Sequence, residues 1–235
     1  MIAGLQKMTL LDYPGKVACT VFMQGCNFRC PFCHNSPLLH ANASAFISRQ
    51  KLMDFLKKRQ GLLDGVCITG GEPTLCPELP DLLKEIKSLG FAVKLDTNGS
   101  RPEILKNLVE ADLVDYVAMD IKNSPERYRE TVGCSGLDLT KIEESMRYLM
   151  EGSLDYEFRT TVVKELHTAD DIKAIGQWFQ KLCPHKPVKK YFLQCFVDRD
   201  SVLCGGLHAP ERADLLAFLE AVKIYVHAAE IRGLD

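Results

Sequence analysis

Short apolar runs alternate with amphipathic stretches along this chain. Val17-Ala-Cys-Thr-Val-Phe-Met23 is β-branched and almost wholly apolar, the pattern of a strand buried on both faces. Residues 65–69, 91–95, 113–119, 156–163 and 190–196 repeat that pattern. Between them lie segments of helical period. Residues 48–60 place Leu52, Phe55 and Leu56 on one face, with Ser48 able to cap the start and Gly61 to stop the end. Leu79, Leu82, Leu83, Ile86 and Leu89 form a second stripe, ended by Gly90. Further helices are predicted over 102–109, 169–182 and 209–228, and a broken one over 124–149 with its break at Gly133–Gly136. Six strands alternating with helices predict right-handed βαβ units around a parallel sheet. The expected class is α/β, in one domain over 1–235.

Composition narrows the setting. With 29 basic and 31 acidic residues the net charge is −2, so no nucleic-acid or membrane field is expected. No apolar run approaches the ~18–20 residues of a membrane span, and the first residues lack the apolar core of a signal peptide. Ten cysteines are spread through an ordinary globular composition. A reducing cytosol is therefore the expected compartment.

Three of those cysteines stand apart. Cys26-Asn-Phe-Arg-Cys30-Pro-Phe-Cys33 puts three thiols in the pattern C-x3-C-x2-C. They suit a loop wrapped around a compact centre. Thiolates ligate zinc and iron–sulfur clusters. A 4Fe–4S cube normally takes four, so three leave one iron open to a substrate or cosubstrate. Plainer alternatives exist. Cys30-Pro-Phe-Cys33-His34 matches covalent haem attachment, a chemistry of exported proteins. A zinc site including His34 would need adjacent residues on one tetrahedral ion. Three structural cysteines are the blandest alternative. Gly70-Gly71-Glu72-Pro73, Asp96-Thr97-Asn98-Gly99 and Asp120-Ile121-Lys122 also fall at or just past predicted strand ends. That edge carries the active site in barrel-like parallel sheets.

Together these motifs resemble the radical S-adenosylmethionine superfamily: C-x3-C-x2-C after the first strand, Phe32 before its last cysteine, and Gly-Gly-Glu-Pro after the second strand. Leu10-Leu-Asp-Tyr-Pro-Gly-Lys16, Met23-Gln-Gly-Cys26, Cys30-Pro-Phe-Cys-His-Asn35, Leu95-Asp-Thr-Asn-Gly99, Met119-Asp-Ile-Lys122 and Phe158-Arg-Thr-Thr161 resemble the glycyl-radical-enzyme activases. Those serving anaerobic ribonucleoside-triphosphate reductase look nearest, with those of pyruvate formate-lyase as near relatives. Only 36 residues, with Cys67 their single cysteine, separate Cys33 from Gly70, so no second-cluster insertion is expected there.

The resemblance implies a partial (β/α)6 TIM-like barrel whose lateral side is open to a protein loop. It implies one 4Fe–4S cluster on Cys26, Cys30 and Cys33, with S-adenosylmethionine on the fourth iron. One-electron reduction then gives methionine and a 5′-deoxyadenosyl radical, which takes a glycine Cα hydrogen from a partner enzyme. The implied partner is anaerobic ribonucleotide reductase, and the implied electron donor is flavodoxin or ferredoxin. Gly70 and Gly71 would let the backbone approach the methionine amino group. Glu72 would hold that ammonium or support the loop, and a simple tight turn is the alternative. Asp120 and Lys122 would contact the ribose, or form a strand-end ion pair. Asp96 and Thr97 match a monovalent-cation site, or an Asx-type turn. Arg159 would meet the cosubstrate carboxylate, or make a structural salt bridge. Phe32 and Asn35 would shape the adenine pocket, and His34 would support or pack rather than act as a ligand. Cys67, Cys76, Cys134, Cys183, Cys195 and Cys204 are expected to be structural. A radical enzyme acting on a small molecule is the rival function, and would show a closed pocket.

Overall fold

The apolar run before the cysteine loop is a strand, β2 (Ala18–Met23), buried along nearly all its length. A computed structural model describes residues 1–40 and 46–234. On one side β2 pairs antiparallel with β1 (Ile2–Thr9), and on the other parallel with β3 (Gly65–Gly70). β4 (Ala92–Thr97) extends the sheet in parallel, with Cys67 opposite Lys94. Three helices accompany these strands: α1 (Arg49–Lys57), α2 (Leu79–Ser88) and α3 (Pro102–Glu110). α1 buries Leu52 and Leu56 of its predicted stripe, with Met53, while Phe55 is half-buried; α2 buries Leu79, Leu82, Leu83 and Ile86, while Leu89 is half-buried at its C-terminal end. Ser48 caps α1 as expected, accepting the Lys51 N–H at 3.2 Å. Met1–Asn27, Pro37–Thr97 and Arg101–Ala118 make up this first compact unit.

A second unit comprises Phe28–Ser36, Asn98–Ser100 and Met119–Asp235. Its parallel strands are β6 (Asp155–Val162), β7 (Tyr191–Cys195) and β8 (Ala229–Arg232), with Phe158 opposite Tyr191 and Phe192 opposite Glu230. Aromatic rings fill the space beside them: Tyr156 on Phe158 at 5.0 Å, Phe158 on Phe179 at 5.4 Å, and Phe179 on Tyr191 at 5.3 Å. Its helices are α4 (Tyr128–Thr131), α5 (Leu139–Glu151), α6 (Ala169–Leu182) and α7 (Arg212–Lys223). A reciprocal cap starts α6. The Asp171 N–H donates to Thr168 Oγ1 at 3.2 Å, and the Thr168 N–H to Asp171 Oδ2 at 2.9 Å. β5 (Tyr116–Asp120) divides between the two units in sequence.

The strands follow chain order, β1 to β8, in an open, mostly parallel sheet. The α/β class is therefore the expected one, and the six predicted strands are β2 to β7. Two strands were not expected. β1 reads Ile-Ala-Gly-Leu-Gln-Lys-Met-Thr, which neither alternates nor runs apolar, because it is a half-exposed edge strand. β8 has only four residues, and it follows a helix that ends at Lys223 rather than 228. The segment predicted as one broken helix over 124–149 is two. A single turn, α4, is followed by α5, which starts only after Asp138 has capped the Thr140 N–H at 3.1 Å. Among the described residues, no helix is long and apolar enough to cross a membrane.

Candidate functional site

In the first unit, the segment after β3 is laid directly against the backbone that leads into the cysteine loop. The Gly71 N–H donates to the Met23 carbonyl at 2.9 Å, and the Glu72 N–H to the Gly25 carbonyl at 2.7 Å. A Cβ on Gly71 would lie 1.9 Å from the Gly25 oxygen, and one on Gly70 would lie 2.4 Å from Met23 backbone atoms. Both glycines are thus required by the chain's own packing, independently of any cosubstrate. Glu72 is 1% exposed. Its Oε1 accepts from the Thr74 N–H at 3.1 Å, from the Thr74 hydroxyl, and from the Thr97 hydroxyl at 2.8 Å. Of the two roles open to Glu72, this geometry builds the supporting one, tying the end of β3 to the end of β4. Cys26, which follows Gly25 in sequence, is half-buried.

Asp96 has a partner that motif reading missed. The Lys94 ammonium, two residues earlier on β4, is ion-paired to Asp96 Oδ1 and lies 3.9 Å from the Cys67 sulfur. Strand alternation puts Lys94 and Asp96 on one face. The Asx turn that follows belongs to Asn98, whose Oδ1 accepts the Ser100 N–H at 3.0 Å.

The second unit carries the rest of the loop. The Cys33 N–H donates to the Cys30 carbonyl at 3.1 Å, so a tight turn holds these two thiols, Cys30 buried and Cys33 half-buried. Phe32 points inward between two polar groups. The His167 ring meets it edge-on at 6.3 Å, and the Lys122 ammonium lies 6.0 Å from its centroid. Lys122 Nζ donates to Asp120 Oδ2 at 2.8 Å, and Arg159 Nε to Asp120 Oδ1 at 2.9 Å. Burial opposes the charge on Asp120, but Arg159 and Lys122 outweigh it and hold the carboxyl well below its usual range. Burial likewise opposes the Lys122 charge, and Asp120 with Cys30 overcomes it and pushes that pKa up. Two fixed cations therefore face one carboxylate, with a thiol close enough to feel the field. His34 packs as expected. Its ring stacks on Phe196 at 5.3 Å, and Nε2 donates to the Val197 carbonyl at 2.6 Å. Asn35, two residues on from Cys33, is half-buried.

The profile of the Radical SAM superfamily matches residues 20–179. The chain belongs to that superfamily. A Methanocaldococcus jannaschii protein provisionally named a glycyl-radical enzyme activating enzyme is 31% identical over 243 residues, spanning 100% of this chain and 97% of that protein. A Clostridium pasteurianum pyruvate formate-lyase-activating enzyme is 34% identical over 131 residues, 52% of each chain. Among solved structures, Streptococcus suis SuiB bound to S-adenosylmethionine aligns at a TM-score of 0.67 over 90% of this chain and 49% of its own, at 16% identity. A domain of a pyruvate-formate lyase-activating enzyme from Bacteroides vulgatus aligns at 0.58 over 72% of this chain and 99% of its own, at 22% identity. At such identities these likenesses speak for the fold. The radical SAM chain is an enzyme of the glycyl-radical-enzyme-activating kind, acting on a partner through radical chemistry.

The residues present suit the cofactors of a radical SAM protein, a 4Fe–4S cluster and S-adenosylmethionine. All three loop thiols are free of disulfides, and Cys30 lies within the field of an ammonium, which favours a thiolate. Among the described residues no three His, Cys, Asp or Glu side chains are gathered on a single metal ion. A cube does not ask for that, because each thiolate binds a different iron. Four other thiols are poor donors. Burial pushes Cys19 up to about 12, and raises Cys76, Cys183 and Cys195.

Proposed function

We propose that this enzyme generates the glycyl radical of an anaerobic ribonucleoside-triphosphate reductase, with Cys26, Cys30 and Cys33 holding the cluster. The observation that carries the site assignment is the Asp120–Lys122–Arg159 group, set against Cys30 and Phe32 in one compact unit. When bound, the reduced cluster supplies the electron that splits S-adenosylmethionine into methionine and a 5′-deoxyadenosyl radical. The chain's part is to bind, orient and exclude water. Asp120 is held ionised, so it can accept from ribose hydroxyls while Lys122 fixes its orientation. Lys122 and Arg159 both hold Asp120, and their positive charge there is a complement for the cosubstrate's carboxylate. Gly70 and Gly71 offer backbone to the methionine ammonium, with Glu72 pinning that backbone from behind. Phe32 and Asn35 flank the adenine, and Asp96 and Thr97 stand near the carboxylate end. The 1–235 chain works as one domain in the cytosol, with flavodoxin or ferredoxin as donor.

The short interval between Cys33 and Gly70, whose single cysteine is Cys67 within β3, supports an activase without a second-cluster insertion, as the reductase reading has it. The 34% identity to the C. pasteurianum enzyme supports a second reading, a pyruvate formate-lyase partner. The test is anaerobic incubation of the reconstituted, reduced enzyme and S-adenosylmethionine with each purified partner. An organic radical split into a doublet by the remaining glycine α-hydrogen should appear on the reductase. A doublet on pyruvate formate-lyase alone would reassign the partner.

A further inference from the structure

Lys94 is a charged side chain in the middle of an apolar strand, 1% exposed, with Val93 and Leu95 on either side fully buried. A buried ammonium persists only when it is paired and hydrogen-bonded. Here the pair is Asp96, and the Cys67 sulfur is a second neighbour at 3.9 Å. The two members are unequally placed. The Lys94 side chain is 2% exposed and that of Asp96 14%, so the carboxylate is the end a ligand can reach. A second buried acid stands close by, since Thr97, next to Asp96, hydrogen-bonds Glu72 at 2.8 Å. This strand end therefore carries two carboxylates and a resident cation.

We propose that Lys94 is a positioning residue that supplies, from within the chain, the monovalent positive charge that Asp96 requires when an anionic group binds beside it. The sequence leaves two expectations at Asp96 and Thr97, an alkali ion or an Asx-type turn. In this chain the ammonium already sits on that carboxylate, and it cannot be diluted away. Lys94 acts through Asp96: it cancels the carboxylate's repulsion of an incoming carboxylate and holds Asp96 in one orientation on the strand face. The inference rests on the reading that places Asp96 near the carboxylate of S-adenosylmethionine.

The test compares potassium, sodium and choline chloride at equal ionic strength. Two readouts are used: S-adenosylmethionine affinity of the reconstituted enzyme, from its reduced-cluster resonance, and the thermal midpoint of the cluster-free chain. For the native protein both are expected to be the same in the three salts. Lys94→Met should lose at least about tenfold in affinity in choline and regain it in potassium or sodium. Its cluster-free midpoint should rise with alkali ion but not with choline. Lys94→Met combined with Asp96→Asn should show neither response. Native enzyme that needs potassium or sodium for affinity would overturn the proposal, as would folded Lys94→Met that ignores the cation. If Lys94→Met does not fold, the native salt comparison decides alone. If no salt gives a cosubstrate-dependent signal, the cosubstrate reading fails, and the cluster-free midpoint still tests Lys94.

Discussion

At His167 the backbone fixes the protonation state. Nδ1 accepts the Val163 N–H at 3.1 Å, so the proton sits on Nε2, which donates to the Lys122 carbonyl at 2.9 Å. Burial lowers the pKa of the ring below its ordinary 6.5, and the imidazole is neutral at pH 7. The unfolded chain then binds this proton more readily than the folded one, so the stability it contributes is complete above about 6.5 and is lost as the pH falls below that. His167→Gln can keep the donor to Lys122 without titrating. Its unfolding free energy should decline less between pH 7 and 5 than that of the native protein, in denaturant titrations at each pH. Parallel curves would show that His167 is protonated in both states alike. Neither His167 nor Lys94 belongs to a sequence motif. Lys94 was nonetheless readable, as a lone charge within Ala92-Val-Lys-Leu. His167 was not, because its partners lie 45 and 4 residues away and are backbone atoms.

Elements meet where glycine lets them. The turn after β3 packs on the exit of β2 through the Gly71 and Glu72 amides, with no room for a methyl group at Gly71. Gly71→Ala should destabilise the protein by about 1–3 kcal/mol, the range for overpacking a tight contact. Gly136→Ala, with nothing within 4 Å of the added carbon, is the control and should stay within about 0.5 kcal/mol. Equal midpoints in denaturant for the two variants would contradict the packing account. The Gly-Gly-Glu motif was legible as a site, yet its physical reason was not, since the Gly25 carbonyl it packs on is 46 residues upstream. Strand legibility divides the same way. β2 to β7 announce themselves by burial, whereas β1 is half-exposed and β8 has four residues, too few for a period to register. The segment around α4 misled because a helical composition there is spent on turns held by tertiary bonds, among them Arg29 N–H to the Val132 carbonyl at 2.8 Å.

For the whole molecule, the family was legible because its chemistry is carried by short motifs at successive strand ends, each readable without knowing the fold. Partner choice was not, because it depends on surface complementarity that a net charge of −2 does not reveal. The central claim is that the three loop thiols hold a 4Fe–4S cluster that works on S-adenosylmethionine. Its most direct test is anaerobic reconstitution with iron and sulfide, then electron paramagnetic resonance of the reduced protein with and without S-adenosylmethionine, alongside 5′-deoxyadenosine analysis. A reduced-cluster signal that changes on addition, with 5′-deoxyadenosine formed, is the predicted result. Cys30→Ala should abolish both, and Cys183→Ala, at a buried thiol outside the loop, should retain them. Zinc in place of a cluster signal, or equal loss in the two variants, would contradict it.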